Sequence, residues 1–287
     1  MSLPHALLDS PPGSQASNTN DCHIVRVPQW EGYRWLTHGF STRAGGFSQL
    51  LGAPPTIGQL NLGFTATDNP ELVSRNRAKF LSQLHLDPSD VPGQYGFVTL
   101  NQMHSSLVRK VGRAQIAERA SLWGDGLLTD DLGAILAIQT ADCLPILIAD
   151  AKRQAVAAFH AGWRGTLKRI VERGVESMRV EFGSHPKDLT AAVGPGIGQC
   201  CFEVGQEVKD LFAAEFSYAQ ELFAPHAKPR LDLVEANRRQ LVAAGLDFQL
   251  IFTVNLCTSC RTDLFFSHRA ERGKTGRMMS VIGIVGT

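Results

Sequence analysis

One apolar stretch of the chain, broken in its middle by polar residues, restricts the fold more than any other feature. Residues 134–138 and 144–148 are almost wholly apolar, and the polar residues 139–143 separate them. Pro145 excludes one continuous helix, because proline lacks the amide hydrogen and clashes with the preceding turn. The pattern therefore predicts two short buried strands joined by a polar link.

Strand and helix patterns alternate irregularly along the rest of the chain, without a repeat period. We expect a helix from Asn69-Pro70 to residue 86, one over 166–182, and one over 232–244 that Gly245 closes. Alternating apolar residues predict further strands at 23–30, 155–161, 189–193, 249–257 and 280–285. They also predict one strand before a turn at Gly45-Gly46 and two short strands within 96–111. Such alternation is typical of an α/β fold with mixed sheets in a single domain.

The N-terminal residues differ in composition from the remainder. Pro, Ser, Asn and Gly dominate residues 10–20, which favours a flexible leader over 1–22 and one domain over 23–287. The leader lacks the features of a secretory signal, and we see no apolar span of about 20 residues, so we expect a cytoplasmic protein without a membrane partner. The 28 basic and 27 acidic residues give a net charge of +1, which argues against a nucleic-acid partner.

Three residues could together hold a catalytic metal ion. They are His104 in NQMHSS, Cys143 in TADCLP and His160 in FHAGWRG. Two imidazoles and one thiolate suit Zn²⁺ and leave a fourth position open, as catalytic zinc sites do. A zinc ion of this kind activates water near neutral pH. The three residues are far apart in the chain, so spacing alone is weak evidence for a metal site and favours a buried cysteine and two hydrogen-bonded histidines.

Two glycine-containing turns carry cationic side chains. GWRG at 162–165 precedes a predicted helix, where Arg164 and exposed amides could bind phosphate, although a tight turn with a surface arginine has the same pattern. FFSHR and TGR bring His268, Arg269 and Arg277 around another turn. These residues form either the rim of a substrate site or a solvated basic loop.

The six cysteines include one CxxC pair, Cys257 and Cys260. This pair could be a redox couple, half of a zinc site, or two thiols in a loop. No second CxxC motif completes a four-cysteine site. The glycine-rich stretch 194–201, GPGIGQCC, indicates only that its backbone closely approaches another group.

Several of these segments together resemble the YfiH-like family, also called the laccase-domain or polyphenol oxidase family and now regarded as purine nucleoside phosphorylases. The resemblance rests on NQMHSS, QTADCLP, HAGWRG, GPGIGQCCFEVG and FFSHR, and it extends from THGFSTRAGG and NLG to the C-terminus. The family implies an α/β fold with layered mixed β-sheets flanked by helices.

The resemblance also implies a function and a cofactor. It assigns zinc to His104, Cys143 and His160, and it implies phosphorolysis of adenosine, inosine, guanosine and methylthioadenosine, with adenosine deamination as a further activity. The expected partners are a small-molecule nucleoside and phosphate, and the oligomeric state is not predicted. Copper-dependent phenol oxidation is attributed to some members and peptidoglycan editing to others. The chain has no HxH pair, which argues against a multicopper site.

The chain departs from the family pattern at two places. Ser105 replaces a usual glycine after His104, and Gly124-Asp125-Gly126 replaces the usual ADA while keeping the aspartate. Cys260 lies outside the family pattern. The predicted ligands are unchanged, so these departures bear on substrate preference.

Roles for other side chains are hypotheses. Asp142 and Asp125 are candidate proton carriers, or Asp142 could instead orient a histidine ligand. The phosphate would be held by Arg43, Arg164 and the amides of a helix starting after Gly165. Substrate binding is predicted for Asn61, Asp125, His268 and Arg269. A rival hypothesis makes Cys143 a nucleophile paired with His160, as in a cysteine hydrolase.

Overall fold

The computed structural model describes residues 22–50, 58–84, 86, 95–116, 122–224 and 226–286. These residues form 14 strands and five α-helices. The strands are β1 Ile24–Val25, β2 Leu36–Ser41, β3 Ala44–Ser48, β4 Gly96–Val98, β5 Val108–Lys110, β6 Gly126–Thr129, β7 Ala134–Thr140, β8 Leu144–Asp150, β9 Ala155–Ala161, β10 Leu189–Val193, β11 Phe223–Ala224, β12 Arg230–Leu231, β13 Ile251–Thr253 and β14 Met278–Ile284. The helices are α1 Pro70–Gln83, α2 Trp163–Leu167, α3 Ile170–Phe182, α4 Gln206–Glu215 and α5 Leu233–Ala243.

Two mixed sheets carry most of these strands. The first sheet has the order β1-β2-β14-β7-β4 and the second the order β13-β10-β8-β9-β6-β5, while β11 and β12 form a separate pair. The predicted apolar strands β7 and β8 are confirmed, and they belong to different sheets. The polar link at 141–143 therefore carries the chain from one sheet to the other.

The alternation of side chains along β8 shows how the second sheet is packed on both faces. Ile146 and Ile148 pack in the apolar cluster that contains α3, α4 and α5, whereas Leu147 and Ala149 pack in the cluster shared with the first sheet. Strands buried on both faces are apolar along most of their length, and β8 is apolar from Leu144 to Ala149. The same holds for β7, whose Ile135 and Ala137 pack in the α1 cluster on the outer face of the first sheet.

The layers are thus α1, the first sheet, the second sheet, and the helices α3 to α5. The predicted α/β fold of layered mixed β-sheets flanked by helices is confirmed. The α1 start is also confirmed, since the Asn69 side chain accepts a hydrogen bond from the Glu71 amide and caps the helix. No helix in the described ranges is long and apolar enough to cross a membrane.

Several local predictions need correction. Of the strand expected over 23–30 only Ile24–Val25 forms a strand, and Pro28–Trp30 forms a 3-10 helix. The expected helix over 166–182 is two helices, because Arg169 has a φ of 59° and interrupts the helical path. Its start is also earlier, at Trp163, with Gly162 as the cap. Gly45 and Gly46 lie within β3 and not in a turn.

The backbone of Gly46 passes so close to the 58–60 segment that a Cβ would lie 2.2 Å from the Gln59 carbonyl oxygen. Glycine is required there for close approach. Of the predicted leader over 1–22, residues 1–21 lie outside the described residues. Cys22 is buried, so it already belongs to the domain.

Candidate active site

The register of the second sheet brings four distant segments to one of its ends. β5 and β6 are parallel and both begin at this end, while β9 is antiparallel to β6 and therefore ends there. β8 is antiparallel to β9 and begins there. His104 precedes β5, Asp125 precedes β6, Cys143 precedes β8, and His160 is near the end of β9.

The three predicted metal ligands meet at this end. One donor atom from each of His104, Cys143 and His160 lies within 4.8 Å of the others. The Cys143 Sγ is 3.9 Å from the His104 Nε2, and the two imidazole centroids are 4.9 Å apart. Two nitrogen donors and one sulfur donor around a common point fit Zn²⁺. All three residues line the same cavity, so a fourth position would face open space.

The Asp125 side chain holds two of these ligands in position through hydrogen bonds. Its carboxylate is fully buried and accepts a hydrogen bond of 2.8 Å from His160 Nδ1. It also accepts hydrogen bonds from the amides of Met103, His104 and Ser105 and from the Ser105 hydroxyl. A carboxylate on the second imidazole nitrogen fixes the ring and leaves Nε2 for a metal. Asp125 is therefore a positioning residue, which corrects its predicted contact with substrate.

The electrostatics of the site favour a charged thiolate. Burial would raise the pKa of Cys143, but the facing His160 imidazole and hydrogen bonds from both histidines lower it to about 6. Burial would lower the pKa of His160, yet Cys143 and the hydrogen bond to Asp125 raise it to about 9. A thiol already deprotonated near neutral pH is ready to bind a metal cation or to act as a nucleophile.

Asp142 faces the cavity from the link between the two sheets, but its carboxylate oxygens are already engaged. They accept hydrogen bonds from the hydroxyls of Thr258 and Ser267, both at 2.7 Å, and from the Arg269 amide at 2.6 Å. Its backbone has a φ of 91°, and His104 has a φ of 58°, so both loops adopt uncommon conformations. The structure thus makes Asp142 an anchor for the loops that carry the site, which corrects its prediction as a proton carrier.

The cavity has a volume of about 570 Å³ and a cationic wall. Arg277 is half-buried in this wall, and burial lowers its pKa while the nearby Cys143 and Asp142 oppose that shift. Its guanidinium donates to the carbonyls of residues 275 and 276, and no ion pair with a carboxylate is present within the described part of the chain. Arg164 is exposed at the rim and stacks on Trp163 at 4.3 Å. Anionic substrates are the natural ligands of such a wall.

The other predicted residues divide between the rim and the interior. His268 and Arg269 line the cavity, as expected for a substrate rim. Arg43 does not line it, because its guanidinium pairs with Glu271 at 3.0 Å and with backbone carbonyls. Asn61 is fully buried and bonds to Asp68 and to neighbouring backbone, so its role in the structure is to shape the 61–63 turn.

Two aromatic residues of the cavity were absent from the sequence prediction. Trp123 lines it with 57% of its surface exposed, and Phe202 lines it from the loop that follows the adjacent cysteines. The only sequence signal for Trp123 was its position directly before the Gly124-Asp125-Gly126 motif.

Comparison with known proteins shows the family to which the chain belongs. A family model described as "Multi-copper polyphenol oxidoreductase laccase" matches residues 37–285. The chain belongs to this laccase-like, YfiH family. A "Purine nucleoside phosphorylase" of Deinococcus radiodurans is 39% identical over 251 residues, covering 87% of this chain and 89% of that protein. "Purine nucleoside phosphorylase YfiH" of Escherichia coli is 34% identical, covering 90% and 98%.

Solved structures of the YfiH family have the same fold. The crystal structure of a hypothetical protein YfiH from Bacillus licheniformis superposes with a TM-score of 0.81 at 36% identity, covering 91% of this chain and 96% of that one. That of YlmD from Geobacillus stearothermophilus gives a TM-score of 0.78 at 32% identity, covering 95% and 98%.

The structure shows which contacts Ser105 makes at the position where the YfiH family pattern usually has glycine. The Ser105 hydroxyl donates a 2.6 Å hydrogen bond to Asp125 and accepts one from the Leu107 amide. A glycine at this position could make neither bond. The serine therefore adds to the support of the His104 loop and leaves the predicted ligands in place.

Proposed function

We propose that this protein is a zinc-dependent purine nucleoside phosphorylase that also deaminates adenosine, acting on free nucleosides and phosphate. One observation carries the proposal. A group of two histidines and one cysteine opens into a cavity large enough for a nucleoside, and an arginine without a carboxylate partner in the described chain stands in its wall. The names of the relatives from Deinococcus radiodurans and Escherichia coli support the same reaction class.

Phosphorolysis joins a phosphate oxygen to C1′ of the ribose while the bond from C1′ to the purine nitrogen breaks. The products are ribose 1-phosphate and the free base, which takes up a proton. The protein must therefore hold a phosphate anion close to the ribose and favour departure of the base. When bound by His104, Cys143 and His160, zinc would supply a Lewis acid to this cavity.

Arg277 is the residue best placed to hold the phosphate. Its guanidinium is half-buried, and a desolvated cation binds an oxyanion more strongly than a solvated one does. Arg164 and Arg269 stand at the rim, where solvent weakens their attraction. We therefore give Arg277 the phosphate role that the sequence suggested for Arg43.

The aromatic side chains Trp123 and Phe202 suit the base. A purine ring stacks on aromatic faces irrespective of its substituents. Recognition by stacking fits a site that takes adenosine, inosine and guanosine alike, since these differ at the edge of the ring and share its face. Deamination of adenosine would use the same cavity for a different bond, because water adds at C6 of the adenine ring, ammonia leaves, and inosine is the product.

The test is to incubate the purified full chain with a panel of nucleosides, with and without inorganic phosphate, and to separate products by chromatography. We expect free base and ribose 1-phosphate only when phosphate is present, and inosine from adenosine when it is absent. The Cys143→Ala variant should lose the zinc ion of the cavity and both activities. Cys22→Ala, which removes a cysteine that does not line the cavity, is the matched control and should keep them.

The rival functions give different results in the same experiment. A copper oxidase would contain copper and consume oxygen with phenols. A cysteine hydrolase would keep its activity after treatment with a chelator and lose it to a thiol alkylator. Release of free base that does not depend on phosphate would contradict the phosphorylase proposal.

A further inference from the structure

Four cysteine side chains meet outside the active-site cavity, and we call them the four-cysteine cluster. They are Cys200, Cys201, Cys257 and Cys260. Their sulfur atoms all lie within 4.8 Å of one another, with Cys260 Sγ 3.5 Å from Cys200 Sγ and 3.3 Å from Cys201 Sγ. All four are free thiols at exposed or half-exposed positions. We propose that this cluster is a second metal site, a closed tetrathiolate zinc site.

The sulfur positions fit a tetrahedral metal. Zinc–sulfur bonds of about 2.3 Å place the sulfurs of a tetrahedral site about 3.8 Å apart. The two distances from Cys260 Sγ, 3.5 and 3.3 Å, are somewhat shorter than this value, and the limit of 4.8 Å that holds for every pair lies above it. Thiols are weak hydrogen-bonding groups, so attraction among the four side chains alone gives little reason for them to gather at a surface. Four sulfur ligands leave no coordination position for a substrate, which is the pattern of a structural site.

The two halves of the cluster come from neighbouring strands. β13 runs parallel to β10, so both strands end on the same side of the second sheet, and the loops that follow them meet. A bridge between Gly196 and Cys257 fixes these loops together, with the Thr258 amide donating to the Gly196 carbonyl at 3.0 Å. The sequence showed a CxxC without a partner motif, because its partner is an adjacent Cys-Cys pair about 60 residues earlier in the chain.

The backbone at Gly198 lies beside two sulfur atoms of the four-cysteine cluster. The Gly198 amide donates to Cys257 Sγ at 3.3 Å, a contact that stabilises a thiolate ligand. A Cβ on residue 198 would lie 3.3 Å from Cys200 Sγ and 3.6 Å from Cys257 Sγ. Glycine at this position keeps the space beside the sulfurs clear.

A metal here would brace the rim of the active site. The loop after β10 carries Ile197 and Phe202, which line the cavity, and the guanidinium of Arg269 donates to the Cys201 and Glu203 carbonyls. The loop after β13 carries Thr258, which holds Asp142. Tying both loops to one ion restricts the motion of two walls of the cavity without placing the ion in contact with substrate.

The experiment counts zinc in the full chain after expression with added zinc and purification without chelator. We expect two zinc ions per chain in the wild type and in Cys22→Ala. One zinc should remain in the double variant Cys257→Ser/Cys260→Ser, and one in Cys143→Ala. The two variants therefore separate the two sites. If the double variant kept the zinc content of the wild type, this proposal would be wrong and the proposed function would be unaffected. If Cys143→Ala kept that content, the zinc site of the proposed function would be wrong and this proposal would be unaffected.

A second measurement uses only the wild-type protein, so its result does not depend on whether a variant folds. The protein is treated with iodoacetamide before and after removal of metal, and modified cysteines are located by peptide mass spectrometry. We expect all four cysteines of the cluster to be shielded until a chelator is added. Labelling at the same rate with and without metal, iron in place of zinc, or a mass lower by two hydrogens from a disulfide in the cluster would each overturn the proposal.

Discussion

Replacement of Asp125 by asparagine tests the support beneath the metal ligands. The carboxylate accepts hydrogen bonds from five donors, which are the amides of Met103, His104 and Ser105, the Ser105 hydroxyl and His160 Nδ1. An asparagine side chain offers one acceptor oxygen and turns an NH₂ group toward the remaining donors. Each buried donor left without a partner costs about 1–3 kcal/mol.

With at least two donors affected, we expect Asp125→Asn to lower the free energy of unfolding by about 3–5 kcal/mol, as is usual when a buried charged pair is broken. This is a large share of the roughly 5–15 kcal/mol that stabilises a folded domain. Loss of the carboxylate behind the His160 ring should also weaken zinc binding by about 10–100-fold.

Urea unfolding of the metal-free protein measures the first quantity, and competition with a zinc-binding dye measures the second. The matched control is Asp263→Asn, which makes the same change at an exposed carboxylate paired with Arg261 and should alter stability by less than about 1 kcal/mol. If Asp125→Asn unfolded at the same urea concentration as the control and bound zinc equally well, the assigned role of Asp125 would be wrong.

Acid provides an independent check of the same reasoning. Burial would raise the pKa of Asp125, but hydrogen bonds from His160 and Ser105 hold it well below the usual range. A depressed pKa contributes stability that is present above the unfolded value of about 3.9 and is lost as the pH falls toward the folded value. The stability difference between wild type and Asp125→Asn should therefore shrink once the pH falls below about 4.

Three further predictions address the site and the core. Arg277→Ala should raise the KM for phosphate at least about tenfold in initial-rate assays, because it removes the half-buried cation, whereas Arg153→Ala, in the turn at the far end of β8, should leave it unchanged. In metal-free protein the rate of Cys143 alkylation should rise with pH through a midpoint near 6, and a midpoint near 9 would contradict the described electrostatics. Gly174→Ala should destabilise the fold by about 1–3 kcal/mol in thermal unfolding, although alanine favours helices, because the new Cβ would lie 2.2 Å from the Phe159 ring.

Much of the fold could be predicted because its signals are local. Pro145 divided the apolar stretch into two strands, and Asn69-Pro70 marked the start of α1. Arg169 had no such signal, and its left-handed backbone splits the expected helix into α2 and α3. Backbone conformations of this kind are decided by tertiary contacts and not by residue type.

The candidate site was predicted from motifs, and the structure revised the roles of residues that the motifs could not distinguish. His104, Cys143 and His160 were assigned by family resemblance, and the structure brings them together. The phosphate was assigned to Arg43 and not to Arg277, although each is an arginine near a glycine and the motifs do not separate them. Only the structure shows that one pairs with a carboxylate and the other faces the cavity.

By itself, the sequence determined which segments are buried, where helices begin, and which residue types are available for chemistry. These properties depend on neighbours along the chain and on the periodicity of side chains. The tertiary structure decided which strands share a sheet and which loops meet at its end. That choice placed β7 and β8 in different sheets and brought the Cys-Cys pair to the CxxC pair. Contacts between distant segments depend on the order and register of the strands in a sheet. Order and register are set jointly by residues that are far apart in the chain.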